Sequence, residues 1–201
     1  MDAWRVIRVF PDESGGATVC IDGLDDIGVK GEAAALLPLD GTLLDDEETE
    51  CILETLVRPA LEFAAKMLGM RMMTHSMLVK RLIEKGIDET LAVLAADKMA
   101  DNGAVDDLDY ASVFAADRAA RGWGEIRIRG ELRQRGVDED DIDSALSEIE
   151  SYDDAIEAFV VRKAGNKLLT RDEADKVGAA LARKGFKWDD IRPILREYTE
   201  D

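Results

Sequence analysis

This sequence of 201 residues is short of several things. It has two cysteines, Cys20 and Cys51, at no metal-ligand spacing, so neither a disulfide framework nor a zinc site is encoded. Two lone thiols read as unpaired and partly buried, and they suit a reducing compartment. No run of 18 apolar residues is present, and the N-terminus lacks a basic region followed by an apolar one. The expectation is a cytoplasmic protein with no membrane partner. The single histidine, His75, has no Cys, Asp or Glu at ligand spacing. It reads as an exposed first-turn residue, not a base or ligand. Gly-x-x-x-x-Gly-Lys-Ser/Thr, Gly-x-Ser-x-Gly and His-Glu-x-x-His are all missing. We therefore expect no enzyme, no cofactor, no metal and no small-molecule substrate. Aromatics, at 5%, are too sparse for a β-sandwich and suit helices packed through small residues. Positive charge is also scarce: 26 Lys/Arg against 44 Asp/Glu leave a net −18. Such a chain is repelled by polyphosphate at long range, so any nucleic-acid contact must be local.

What the chain does have is 46% hydrophobic residues, enough for a core, and a repeated pattern. Gly122–Leu146 reads as two short helices with Gly136 between them. The first, near Glu125–Arg135, places Ile128 and Leu132 on one face at i, i+4. The second, near Glu139–Leu146, does the same with Ile142 and Leu146. Gly136 sits where a helix-ending glycine adopts a left-handed conformation at no Cβ cost. Asp138 is the expected N-cap, with Val137 placed to touch Ile142. The unit recurs upstream with Leu78, Leu82, Gly86, Ile87 and Asp88. It recurs downstream with Val177, Leu181, Gly185, Phe186, Ile191 and Leu195. The glycines stand 50 and 49 residues apart, the period of a helical repeat array.

The reading along the chain is mainly α: tandem three-helix repeats in an elongated array, after a small N-terminal β-containing segment. Residues 1–46 are that segment. Trp4–Phe10, Ala17–Asp22 and Ile27–Val29 are expected strands, and Glu32–Leu37 a short helix. The sheet should lean on a helix, since a two-stranded ribbon is marginal alone. Repeats are expected over 47–104, 105–151 and 152–201. Two helices are expected before Gly69, one through Leu56 and one starting at Pro59. Thr74 is the expected N-cap of the helix carrying Leu78. Pro193 should bend the last helix or delay its start. Met67, Met70, Met72, Met73 and Met77 read as core filling or as an adaptable partner surface.

Charge picks out the candidate site. Arg118–Gly136 holds six arginines against Glu125 and Glu131, a +4 island. Arg127, Glu131 and Arg135 form one i, i+4 row in which Glu131 can pair with either arginine. Free charge is therefore expected on Arg129 and Arg133, joined by Arg118 and Arg121. Two readings stand: guanidinium forks that meet phosphates or acidic side chains, or a solvated basic face answering Asp138–Asp141 and Asp143. Gly122-Trp123-Gly124 is likewise open, as a phosphate-contacting turn or a simple chain reversal.

Three stretches resemble the RecX family. Arg71-Met72-Met73-Thr74-x-x-Met77-Leu78-x-x-Arg81-Leu82 is similar to its Arg-x-Arg-Ser-x-x-Glu-Leu-x-x-Lys-Leu opening, departing at Met73 and Met77. Gly103-Ala104-Val105-Asp106-Asp107-x-x-Tyr110-Ala111 resembles its Gly-Leu-Leu-Asp-Asp-x-x-Tyr-Ala segment. Arg121-Gly122-Trp123-Gly124-x-x-x-Ile128-x-x-Glu131-Leu132-x-x-x-Gly136-Val137 resembles its Lys-Gly-x-Gly-x-x-x-Ile-x-x-Glu-Leu-x-x-Lys-Gly-Ile block. The β-segment with Leu39-x-Gly41-x-x-Leu44 is similar to the extension of Gram-positive members. The resemblance implies a non-catalytic modulator of the RecA recombinase that lodges in the groove of the RecA–DNA filament and limits its growth, strand exchange and ATP hydrolysis. Arg71 and Arg81 then join Arg118, Arg121, Arg127, Arg129 and Arg133 as candidate partner or DNA contacts. The rival expectation is an acidic helical-repeat adaptor that never touches nucleic acid.

Overall fold

Most helices end where a glycine stands and several begin at a side-chain cap, so the element order follows local chemistry. In the computed structural model, residues 4–165 and 167–200 are described, the Glu32 side chain excepted. Among them are strands β1 (Arg5–Pro11), β2 (Ala17–Ile21), β3 (Ile27–Val29) and β4 (Leu43–Leu44). A 3-10 helix spans Gly31–Leu36, where a short helix was expected, and nine α-helices also occur among the described residues, beginning with α1 (Asp46–Leu68), α2 (His75–Glu84) and α3 (Glu89–Asp101). Then come α4 (Asp107–Ala120), α5 (Glu125–Gln134) and α6 (Glu139–Ser147). Last are α7 (Asp153–Ala164), α8 (Arg171–Arg183) and α9 (Trp188–Glu197). They form two compact units, Met1–Asp106 and Asp107–Asp201.

In the first unit the sheet is antiparallel, in the order β3-β2-β1-β4. Ile7 faces Ile21 and Val9 faces Val19 across β1 and β2. The alternation buries Ala17, Val19 and Ile21, and the sheet shares one core with Leu56, Val57, Ala60 and Ala64 of α1 and with Leu78 and Leu82 of α2. The sheet does lean on helices, as the weakness of a lone ribbon requires. Asp88 ties the layers together: its carboxylate accepts from the Gly28 N–H of β3 and the Thr90 N–H of α3, both at 3.0 Å. The strand β4 was not expected. Two residues are too few to leave an alternating pattern, and only pairing with Arg5 and Val6 defines it.

The helix α1 corrects the expectation of two helices. It runs unbroken through Pro59, with Asp45 and Glu48 forming a capping box at its start. Proline costs about 3 kcal/mol inside a helix. Here Pro59 is exposed, so its missing hydrogen bond lies on the outer face. Leu56, Val57, Ala60, Ala64 and Met67 continue one buried stripe past it, and that burial outweighs the break. Pro193 likewise lies inside α9 and does not delay its start. Met67 and Met73 are buried, while Met70 and Met72 are exposed. Thr74 caps α2 as expected, its hydroxyl accepting from the Met77 N–H at 3.2 Å. His75 is half-buried, with Nε2 2.8 Å from Asp97 Oδ1, a partner 22 positions away that no local spacing reveals.

The three glycine elbows share one geometry. Gly86, Gly136 and Gly185 have φ of 85°, 76° and 90°. At each, the glycine N–H donates to the residue three before it: Ile83, Arg133 and Ala182. The next N–H, of Ile87, Val137 or Phe186, donates back five positions to Leu82, Leu132 or Leu181, at 3.2–3.3 Å. This is the Schellman closure of a helix C-terminus. It turns the chain so that the paired apolar residues of one helix meet those of the next. Ile128, Leu132 and Ile142 are fully buried in one cluster, and Ile156, Val160, Leu181 and Ile191 in another. Asp138 stands at the N-cap of α6, but its side chain makes no capping hydrogen bond.

These elbows differ in what surrounds them. A Cβ on Gly86 meets nothing within 4 Å, whereas one on Gly185 meets Arg127 N and Cβ at 2.5 Å. Gly86→Ala is therefore expected to cost only the left-handed strain, about 1–2 kcal/mol. Gly185→Ala should cost distinctly more. Urea unfolding of the two variants checks this; equal losses would show that Gly185 is not closely covered.

Candidate partner and nucleic-acid interface

The middle repeat, α4–α6, carries five of the seven candidate arginines on or beside α5. Its helix α5 has Gly124 as its N-cap, two residues after the left-handed Gly122. The Gly124 N–H donates to the Lys184 carbonyl and the Ile126 N–H to the Gly185 carbonyl, both at 2.9 Å. A Cβ on Gly124 would lie 2.1 Å from Gly185 C and Phe186 N. Those two glycines thus let two backbones touch: the elbow of the third repeat docks on the N-terminus of α5. Lys187 pairs with Glu125 beside this contact, and Lys184 Nζ reaches the Gly122 carbonyl at 3.4 Å. Of the two readings of Gly122-Trp123-Gly124, the structure supports chain reversal. The turn's N–H groups that a phosphate would need are held by protein carbonyls. Tyr152 and Phe186 pack edge to face alongside, centroids 6.0 Å apart. Burial, with Glu125 and Asp190 near, pushes the Tyr152 phenol up to about 12.

The expected distribution of free charge is corrected. Arg129 reaches Asp143 at 2.6 Å, Glu139 at 3.0 Å and Glu125 at 3.6 Å. Arg133 also pairs with Glu139. Glu125 opens the same helix four residues before Arg129, so one of these pairs was visible as i, i+4 spacing. The pairs to Glu139 and Asp143 needed the Gly136 elbow to fold α6 back along α5. The carboxyl of Glu139 is held below its ordinary range, chiefly by its hydrogen bond to Arg133. The solvated-face reading accounts for this pair of arginines, although Arg133 keeps 56% of its side chain exposed.

The other arginines are fixed differently. Arg127 Cζ lies over the Trp123 ring, 3.6 Å from its centroid, and the side chain makes no ion pair among the described residues. Arg118 sits 5.1 Å from Trp123 and 4.9 Å from Phe114, while Arg135 lies 4.5 Å from the Phe114 centroid. Guanidinium groups and aromatic rings thus alternate in the order Arg127, Trp123, Arg118, Phe114 and Arg135, each cation over a ring face. Glu131 pairs with Arg135, not Arg127. Asp117 is shared by Arg118 at 3.1 Å and Arg121 at 2.9 Å. In the first unit, Arg81 pairs with Glu84 at 3.0 Å, and Arg71 is exposed. Those two belong to the first unit, and the other five candidates to the second. Among the described residues no helix is long and apolar enough to cross a membrane.

Residues 106–146, which span α4–α6, match a family model described as RecX, second three-helix domain. Proteins named Regulatory protein RecX are similar over longer stretches. That of Pseudomonas fluorescens is 33% identical over 149 residues, covering 72% of this chain and 94% of the relative. The chain belongs to the RecX family. The Halorhodospira halophila member is 33% identical over 141 residues, covering 69% of this chain and 87% of its own. A crystal structure of regulatory protein RecX superposes with a TM-score of 0.65 at 23% identity, covering 96% of this chain and 99% of that one. The RecX structure from Lactobacillus salivarius gives a TM-score of 0.65 at 20% identity, covering 71% and 96%. These two establish the shared RecX fold, including the tandem helical repeats.

The pairing of Glu139 makes a pH prediction. Its folded carboxyl titrates below the unfolded value of 4.5. Its contribution is therefore present above that value and fades as pH falls through the lower folded one. Glu139→Gln should lower the melting temperature at pH 7, and the gap should narrow as pH falls below 4.5. Thermal melts over a series of pH values check this; a gap that persists undiminished in acid would assign Glu139 a packing role instead.

Proposed function

We propose that this RecX-family chain is a cytoplasmic regulator of the RecA recombinase. In this reading it binds the RecA–DNA filament and restrains strand exchange and ATP hydrolysis, acting by occupancy and without catalysis of its own. The single supporting observation is the family membership, with residues 106–146 matching the family's second three-helix domain. The mechanism is steric: successive repeats lie in the filament groove, and arginines of the middle repeat supply attraction. Arg121 and Arg133 are the best placed of these, since 63% and 56% of their side chains are exposed. Their ion pairs are surface pairs, worth about 0–1 kcal/mol, and a multivalent anionic partner can displace them. Arg127 and Arg118 contribute a pre-ordered cationic row, and Arg129, Arg71 and Arg81 are further contacts of the same kind.

A second reading is a protein adaptor with no nucleic-acid contact. The net charge of −18 favours it, as does the pairing of Arg129 and Arg133 with acids of α6. A salt series of filament binding separates the two, because phosphate contact makes affinity fall steadily with salt.

The direct test is RecA-coated single-stranded DNA with increasing amounts of this protein. ATP hydrolysis and strand exchange should both fall. Arg121→Glu with Arg133→Glu should weaken that inhibition several-fold while circular dichroism stays unchanged. Full ATPase and strand-exchange activity at saturating protein would end the proposal.

A further inference from the structure

In the first unit, a cleft of 760 Å³ is lined by the turn between β2 and β3, by α3 and by Leu53 of α1. That volume lies within the roughly 300–1,000 Å³ of ligand-binding clefts. Leu24, Leu53, Val93 and Leu94 give it an apolar lining, and Leu24 and Val93 are each 38% exposed. Its charged lining is acidic throughout: Asp25, Asp26, Asp88, Glu89 and Asp97, with no lysine or arginine among the described lining residues. Two of these carboxylates are engaged, Asp88 with the backbone of Gly28 and Thr90, and Asp97 with His75. Asp25, Asp26 and Glu89 are exposed. Glu89, Val93 and Asp97 fall at i, i+4 and i+8, so one face of α3 sets an apolar residue between two acids. The apolar surface continues past Val93, which also lines a second depression of 570 Å³ with Val79 and Ile83 of α2. Two apolar depressions that share one wall suit the successive anchors of an amphipathic helix laid across them. The acidic wall selects the charge of that helix: cations flanking the anchors are attracted, while polyphosphate and anionic lipid are repelled. The chain's own basic helix α5 is a poor occupant, because Arg129, Arg133 and Arg135 already pair with acids of their own repeat.

We propose that this two-part groove on α2 and α3 docks a basic amphipathic helix of a partner protein, its apolar side chains in the depressions and its Lys or Arg side chains against Asp25, Asp26 and Glu89. The groove uses none of the arginines assigned to the RecA filament. The assay contains no RecA, so its failure leaves the filament reading standing.

The experiment is fluorescence anisotropy of the full chain with a labelled helical peptide of about 18 residues, Leu on one face and Lys on its flanks, over a salt series. Binding at low salt should weaken as salt rises. A matched peptide with Ser in place of Leu should bind about tenfold more weakly, and one with Glu in place of Lys should not bind. Asp25→Lys with Glu89→Lys should weaken binding of the Lys peptide about tenfold and make the Glu peptide the better ligand. The same change of charge outside the groove, Glu13→Lys with Glu62→Lys, should leave the preference for the Lys peptide in place. Asp25 and Glu89 are exposed, so circular dichroism of their double variant should match the parent; should it not, Asp25→Asn with Glu89→Gln serves for the same measurement. No binding of the Lys peptide at low salt, equal binding of the Ser-for-Leu peptide, or equal losses from the two charge-reversed variants would each overturn the assignment. A dimer of the chain in sedimentation that Glu89→Lys dissolves would also overturn it, by seating a second copy in the groove.

Discussion

A backbone turned left-handed at a glycine governs this molecule. At Gly86, Gly136 and Gly185 the same two hydrogen bonds close a helix and release the chain at one angle. Any side chain there would oppose that conformation by a Cβ–carbonyl clash. The turn matters because several of the helices it joins are short. The helices α2, α5, α6 and α9 have only nine or ten residues and would be marginal in isolation. They persist because the elbow delivers their apolar stripes to a shared cluster. Burying one Leu or Ile contributes about 1.5–3 kcal/mol, and each repeat buries several.

Backbone contact extends the same logic from one repeat to the next. Gly124 and Gly185 let the elbow of the third repeat feed two carbonyls to the N-terminus of α5. A helix N-terminus has four unsatisfied N–H groups and a partial positive charge, so it seeks acceptors. Protein carbonyls fill that need here, and Lys187 with Glu125 adds an ion pair beside them. The middle repeat is thus held by its neighbour at the spot where an anion site had been one of two readings.

Charge is redistributed by folding in the same way. The island of arginines between positions 118 and 136 is largely answered once α6 lies along α5. Glu139 and Asp143 meet Arg129, and aromatic rings hold Arg118, Arg127 and Arg135. Arg162 and Lys184, from the ends of α7 and α8, lie instead over the Phe159 ring. The count of charges in a segment therefore says little about the field it presents. What counts is which acids the next turn carries back to it.

Local chemistry alone determined much of this protein. The strands β1 to β3, most helix limits, the Thr74 cap and the three elbows follow from alternation, i, i+4 spacing and the special freedom of glycine. The family was legible too, in glycine, leucine and acidic positions at set intervals. Tertiary structure decided the rest. The continuity of α1 through Pro59, the two-residue β4, the His75–Asp97 pair and the partners of Arg129 and Arg133 all depend on groups distant in the chain. Hydrophobic burial and ion pairing act across space, so they can override a local preference that spacing along the chain records faithfully.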